Sequence, residues 1–356
     1  MKQIHFAGPL IEKDDIKIIN QSVSNGFYDN YKKYSNEFIH NLQKYFNVKH
    51  ALTTFTCTHA MHLAAISIGL KKGDEVICPE ISWVATAHSL SHHNLKLKFC
   101  DIDIKTLCMC PTSLERNITK KTKAIMVVHA FGHPANMIKI MKIAKKYNLK
   151  VIEDAAPSLG SHIKGKKTGT FGDVGCFSFQ GAKIITTNEG GVLITNNNKT
   201  IEKARLFSYL GRTDRKGTFW SDHIGYRYQM SNLNSALGIT QLKKINKIIK
   251  IKRKIFQNYK NNFINNNDIV FIDEPSYAFS NCTYPNIILN RGSKKKRDSL
   301  IKYLNKNKIS ARAMFPQLSQ MPMHQTNKRN VNAVKAANLG ITLPSPVYLN
   351  KDQINL

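Results

Sequence analysis

Through the first two-thirds of the chain, short apolar runs alternate with segments whose apolar residues recur every three or four positions. This is the pattern of a sheet joined by crossover helices. "GDEVICPE", "KAIMVVHAFG" and "LKVIEDAAP" read as strands. Between the last two, "HPANMIKIMKIAKKYN" places Met137, Ile140, Met141, Ile143 and Ala144 at helical spacing, with Pro134 near its start. The unit is βαβ, so its strands are predicted to be parallel. "DVGCFSF" and "GGVLITNN" read as two more strands, bracketing the segment that holds Lys183. From "SNLNSALGITQLKKINKIIKIKRKIF" the pattern predicts one long helix, leading into "TYPNIILN", a helix over "KKRDSLIKYLNKN", and "ISARAMF". The expectation is an α/β protein of two domains. Residues 1–245 form a large domain with a mostly parallel central sheet flanked by helices, and residues 246–356 a smaller C-terminal α+β domain.

Composition narrows the function classes. At 356 residues and 42% hydrophobic, the chain can bury a sizeable core. No run of about 18 uncharged apolar residues is present to span a bilayer, and the start "MKQIHFAGPLIEKDDIK" is too charged for a signal peptide. No membrane role and a cytoplasmic location are therefore expected. The seven cysteines are an odd number without zinc-ligand spacing, and neither "CMC" nor "HAFGH" supplies a full ligand set, so free thiols and no metal are expected. The 53 Lys and Arg against 23 Asp and Glu give a formal charge of +30. They are spread along the chain, as in "KKINKIIKIKRKIFQNYKNN" and "RGSKKKRDSL", which reads as a solvated lysine surface. Nucleic acid is not an expected partner.

Parallel sheets present ligands at the carboxyl ends of their strands. Asp154 stands at such an end, after Val151 and Ile152. A lysine amine forms a Schiff base with an aldehyde cofactor, and pyridoxal phosphate sites pair that lysine with an Asp on the pyridinium nitrogen. Lys183 and Asp154 suit these two roles. The cofactor's phosphate needs donors, and "TFTCTHAMHLAAISIG" offers a Thr-Cys-Thr turn running into an apolar helix. Its backbone N–H groups and the Thr58 hydroxyl face an anion at a helix N-terminus. Ser178 adds a hydroxyl, and Trp83 in "PEISWVATA" an aromatic cover.

Together, "GDEVICPEISWVATA", "VVHAFGHPANM", "VIEDAAPSLGS", "GTFGDVGCFSFQGAKIITTNEGGVLITN" and "GYRYQMSNLNSALGITQL" resemble the DegT/DnrJ/EryC1/StrS sugar aminotransferases. These are pyridoxal phosphate enzymes of fold type I. The resemblance runs from "FAGPLI" to "ITLPSP". It implies Lys183 as the cofactor lysine, Asp154 as the pyridinium partner, Trp83 as the stacking aromatic, and Cys57, Thr58 and Ser178 at the phosphate. It also implies a homodimer with shared active sites, in which the family's "GYNYR" segment reaches the neighbouring subunit's phosphate. Here that segment reads "GYRYQ", putting Arg227 where Asn is usual.

Other positions depart from the family pattern. "EDAAP" has Pro157 where a Gln is common, "TTNEGG" has Asn188 in place of a glycine, and "TCT" replaces "SGT". A branch of the family with histidine in place of the lysine performs dehydration, which the presence of Lys183 argues against. The implied reaction moves an amino group from L-glutamate to a nucleotide-linked 4-keto-6-deoxyhexose. The segment "ISARAMFPQLSQMPMH" resembles the one shaping the sugar-nucleotide pocket, which makes Arg312 and His324 the substrate-binding candidates. The alternatives are a 3-keto sugar as acceptor, or a non-catalytic member of the fold that binds a regulator or nucleic acid.

Overall fold

The computed structural model describes residues 2–326 and 329–355. Its centre is a seven-stranded sheet built from β1 (His50–Thr54), β2 (Glu75–Pro79), β3 (Lys96–Cys100), β4 (Thr122–Val128), β5 (Lys150–Asp154), β8 (Val174–Ser178) and β9 (Gly191–Thr195). Two two-residue strands, β6 (His162–Ile163) and β7 (Lys166–Lys167), form a hairpin between β5 and β8. The sheet order is β1-β9-β8-β5-β4-β2-β3. Strands β3, β2, β4, β5 and β8 pair in parallel, as the βαβ pattern predicts, whereas β9 runs antiparallel to both β8 and β1. The reversal follows from the connection: β8 and β9 are joined by residues 179–190, without the crossover helix that a parallel return needs. Helices cover both faces, as the unbroken apolar runs of β4 and β8 require.

Helix α3 (Cys57–Ser67) is buried almost all round. Helix α6 (Met137–Lys146) buries Met137, Ile140, Ile143 and Ala144, four of the five residues whose spacing predicts it. The long helix expected after "SNLNS" is instead two, α8 (Asn232–Lys243) and α9 (Ile245–Phe263), broken at Lys244, which has φ −94° and ψ 1°. No proline or glycine marks the break. Lys244 turns its ammonium onto buried Asp15, and Gln241 donates 2.9 Å to the Leu10 carbonyl. The N-terminal segment thus fixes the last turn of α8 and frees α9 to change direction.

Helix α9 spans two apolar clusters. Ile248 and Ile249 pack with Phe177, Phe179 and Ile185 beside the large sheet. Ile255 and Tyr259 pack with Ile287, Ile341 and Leu343 beside a second, four-stranded antiparallel sheet. That sheet has the order β10 (Ile269–Phe271), β11 (Asn286–Leu289), β13 (Gly340–Thr342), β12 (Arg312–Ala313). The 245/246 division expected from the sequence falls at the head of α9, while Ile4, at the other end of the chain, bridges to Ile309 and joins the second cluster. No helix among the described residues is long and apolar enough to cross a membrane.

Gly238 in α8 gives a test in which two effects oppose each other. A Cβ there would lie 2.5 Å from the Phe38 ring. Helix propensity favours Gly238→Ala by about 1 kcal/mol, but overpacking costs about 1–3 kcal/mol. Net destabilisation of about 1 kcal/mol is expected by urea unfolding; a variant more stable than wild type would show that Phe38 moves aside freely.

Candidate active site

Strands β1, β2, β4, β5 and β8 end at the same edge of the large sheet, and antiparallel β9 begins there, with Gly191 paired to both Thr54 and Ser178. Three chain segments therefore meet at one place: the start of α3 after β1, the end of β5, and the loop between β8 and β9. Gly191 permits the meeting, because a Cβ on it would lie 2.6 Å from the Cys57 nitrogen and the Thr56 carbonyl. Thr56 caps α3 by accepting from the His59 N–H at 3.2 Å, and the Ala60 N–H donates to the Thr56 carbonyl. The Cys57 and Thr58 N–H groups have no acceptor among the described residues. They are free for an anion, beside the Thr58 hydroxyl and the buried end of β8 at Ser178.

The two acidic residues that end β5 face opposite sides of the strand and are treated differently. Glu153 accepts from the Gly169, Phe171 and Gly172 N–H groups at 2.6–2.8 Å and from His129 Nε2 at 2.9 Å. His129 Nδ1 accepts from the Ala135 N–H at 3.0 Å, so Nε2 is the protonated nitrogen. Glu153 is saturated and structural.

Among the described residues the Asp154 carboxylate, 4% exposed, receives only the Thr86 hydroxyl at 2.6 Å and the Ala156 N–H at 3.1 Å. Thr86 in turn accepts from Ser82 at 2.6 Å, its own proton being committed to Asp154. No cation lies within ion-pair distance of Asp154 among the described residues. Burial raises the Asp154 pKa against the opposing pull of Thr86, Ala156, Lys183 and His129. A buried carboxylate short of positive charge suits the ring nitrogen of a pyridinium.

Lys183, half-buried, sits on the 179–190 loop with its N–H on the Gln180 carbonyl at 2.9 Å. The loop is held by α8: Asn234 Nδ2 donates to the carbonyls of Thr187 (2.5 Å) and Glu189 (3.1 Å), and Gln241 Oε1 accepts from the Thr186 N–H. Asn188 adopts φ +70°, the left-handed conformation for which the family pattern has glycine. The Lys183 Nζ stands 6.0 Å over the centre of the Tyr284 ring. The Cys57 thiol is pushed well above its usual range by burial and by Asp154, with Lys183 opposing, so Cys57 lines the site as a neutral group. Pro157, where a glutamine is common, gives its carbonyl to Asn281 Nδ2 and the Thr283 hydroxyl, both at 2.9 Å.

The structure thus brings Lys183, Asp154, Cys57, Thr58 and Ser178 to one edge. Arg312 connects to them through rings: its guanidinium lies 4.1 Å over Phe6, and Phe6 stacks on Tyr284 at 5.6 Å. Trp83 is 63% exposed, three residues before Thr86, its ring 5.9 Å from Phe315. Two candidates lie apart. Arg227 is exposed and stacks on Tyr209 at 4.8 Å, although its segment runs beside the site, with the Phe55 N–H on the Tyr228 carbonyl. His324 packs near His88 (5.6 Å) and Phe99 (5.9 Å), and burial, then His88, lowers its pKa. Its segment is pinned to the large sheet where Glu80 accepts from the Ser319 N–H and Asn330 Nδ2. Sequence reading missed Thr86, Phe6 and Tyr284. Thr86 lies within the quoted "PEISWVATA" and was open to notice; nothing local marks the other two, which are brought together by the tertiary fold.

A lysine on a β8–β9 loop, a cation-starved Asp at the end of β5 and free N–H donors at a helix start define a pyridoxal phosphate enzyme of fold type I. The chain belongs to the DegT/DnrJ/EryC1/StrS aminotransferase family, which matches residues 9–355. It is 34% identical to GDP-perosamine synthase of Escherichia coli O157:H7 over 355 residues, covering 99% of this chain and 96% of that protein. It is 33% identical to GDP-perosamine synthase of Vibrio cholerae, covering 97% and 95%. Its fold superposes on Helicobacter pylori PseC, an aminotransferase involved in the biosynthesis of pseudoaminic acid, with a TM-score of 0.94 at 26% identity, over 99% and 96% of the two chains. A mutant GDP-4-keto-6-deoxymannose-3-dehydratase with bound GDP-perosamine gives 0.91 at 25% identity, over 98% and 97%.

The raised pKa of Asp154 has a signed consequence for the apoprotein. A folded-state pKa above the unfolded value means stability present below about pH 4 and lost as pH rises through the folded value. Asp154→Asn removes that loss, so without cofactor the variant is expected to melt at or above wild type at pH 7.5, while amino transfer falls by about 10²–10³-fold. A variant melting well below wild type would mean that the carboxylate stabilises the empty site.

Proposed function

We propose that this aminotransferase moves the amino group of L-glutamate to a guanosine-diphosphate-linked 4-keto-6-deoxyhexose. The product is a 4-amino-4,6-dideoxy sugar nucleotide for glycan or polysaccharide synthesis. The observation that carries the reading is the juxtaposition of Lys183 with Asp154, a buried carboxylate with no cation within ion-pair distance among the described residues. The two GDP-perosamine synthases support the nucleotide and the C4 amine.

When bound, pyridoxal phosphate supplies an aldehyde carbon for amine exchange and a ring that accepts electrons. The protein's groups do the rest. Asp154 holds a proton at the ring nitrogen, with its own position fixed by Thr86 and Ser82. The Cys57 and Thr58 N–H groups and the Thr58 and Ser178 hydroxyls would bind the phosphate, and Trp83 would cover the ring. Lys183 would hold the cofactor's aldehyde end, and its Nζ would move the proton on and off the reacting substrate carbon. Arg312 and His324 bind the sugar nucleotide, Arg312 at its diphosphate. The protein works as a homodimer in the cytoplasm, where nucleotide sugars are made, and Arg227 reaches the partner's cofactor phosphate from its exposed segment.

Two measurements test this. The purified protein with pyridoxal phosphate is expected to show a visible band that L-glutamate converts to the pyridoxamine form. Lys183→Ala should lose the band and at least about 10³-fold of the turnover with a GDP-linked keto sugar; a variant retaining substantial turnover would sink the role of Lys183. For the shared site, Lys183→Ala and Arg227→Ala proteins, each impaired alone, should regain activity when refolded together, because one mixed site carries both native residues. No regain would place Arg227 outside the site.

A further inference from the structure

Lys252, on the buried face of α9, is 1% exposed and has no carboxylate within ion-pair distance among the described residues. Its Nζ donates to the Ser345 carbonyl and, at 3.3 Å, to the Ser345 hydroxyl. Burial alone lowers its pKa to about 7. An ammonium withdrawn from water onto two neutral acceptors is a poor stabiliser beside an apolar chain of the same length. Stability therefore does not explain a lysine here, and the contacts beyond Ser345 suggest what does.

Ser345 is a branch point. Its hydroxyl donates to the Thr283 carbonyl at 2.6 Å, and its N–H donates to the Phe6 carbonyl at 2.9 Å. Along one arm, Phe6 stacks on Tyr284 at 5.6 Å with the rings 18° from parallel. The Tyr284 hydroxyl then donates 2.7 Å to the carbonyl of Ala182, the residue before Lys183, and the Tyr284 ring faces the Lys183 ammonium. Along the other arm, the Thr283 hydroxyl donates 2.9 Å to the carbonyl of Pro157, in the turn that follows Asp154. One buried serine thus touches the supports of both the lysine loop and the aspartate turn.

We infer that Lys252 is a positioning residue for the Lys183 amine, acting through Ser345 and the Phe6–Tyr284 pair; this rests on the reading of Lys183 given above. Lys252→Met keeps the length and apolar stem but removes the donors. In the apoprotein, amide hydrogen exchange over residues 180–187 is expected to accelerate roughly five-fold, the change for one ordinary hydrogen bond lost. Tyr284→Phe should accelerate the same amides. In the loaded protein, the visible circular dichroism per bound pyridoxal phosphate should change in Lys252→Met while the melting temperature stays close to wild type.

If faster exchange is confined to residues around 252 and 343–347, with the lysine loop and the dichroism unchanged, Lys252 is a local rivet and the inference is overturned. Should Lys252→Met fail to fold, Phe6→Leu, which removes the ring stacked on Tyr284 and leaves the Lys252 and Ser345 bonds in place, decides by the same two readouts: unchanged exchange over 180–187 and unchanged dichroism overturn the inference. Because exchange is read without cofactor, a wild-type chain lacking any cofactor band would sink the role of Lys183 itself, while the exchange rates would still decide the coupling.

Discussion

A carboxylate removed from water needs either a counter-charge or enough hydrogen bonds to replace hydration, and Asp154 has neither in full. Its neighbour Glu153 shows what a satisfied acid looks like in the same strand: three backbone N–H groups and an imidazole converge on it. Among the described residues Asp154 has one hydroxyl and one N–H. The difference is positional. Side chains alternate across a strand, so one acid points to the side where the 168–173 turn closes over it, and the other to the edge where the sheet opens. Burial without a counter-charge favours the protonated acid, and the pyridinium nitrogen of the proposed cofactor would supply the missing charge at this edge.

The edge has room for that ligand because of the antiparallel strand. Had β9 returned in parallel, its first residue would lie at the far end of the sheet and a crossover helix would replace the 179–190 loop. Reversal instead puts Gly191 against Cys57 and Thr54, and sets the loop carrying Lys183 across the end of β8. The loop is too irregular to stand by itself; it is fixed from one side by Asn234 and Gln241 of α8 and from the other by Tyr284. The break at Lys244 lets α8 serve the lysine loop while α9 runs on to the second sheet.

Much of this was legible in the residues. The period of Met137, Ile140, Ile143 and Ala144 finds α6, and the position of Asp154 after Val151 and Ile152 places it at a strand end. The lysine and the helix start at Cys57 were found by combining residue types with order along the chain. The break at Lys244 was not legible, because it depends on Asp15 and Leu10, more than two hundred residues away. Phe6 and Tyr284 were hidden for the same reason. An isolated Phe near the N-terminus reads as core; the pairing of Ile4 with Ile309 and the Ser345 N–H on the Phe6 carbonyl bring it to the site.

That pairing also bears on how substrate binding connects to the lysine. Arg312 is on β12 of the second sheet, Phe6 follows the segment paired beside it, and Tyr284 precedes β11 in the same sheet. The stack from Arg312 through Phe6 and Tyr284 to Lys183 therefore runs from the small sheet to the loop on the large one. A diphosphate drawn to Arg312 would pull on the same rings that face the amine. Arginine suits the outer end, since a planar guanidinium stacks on a ring while its edge N–H groups stay available to phosphate oxygens. A lysine there would have to choose between the ring and the anion. If Arg312 meets the diphosphate as proposed, one side chain would both support the wall and meet the substrate, and its occupancy would be tied to the placement of the Lys183 amine.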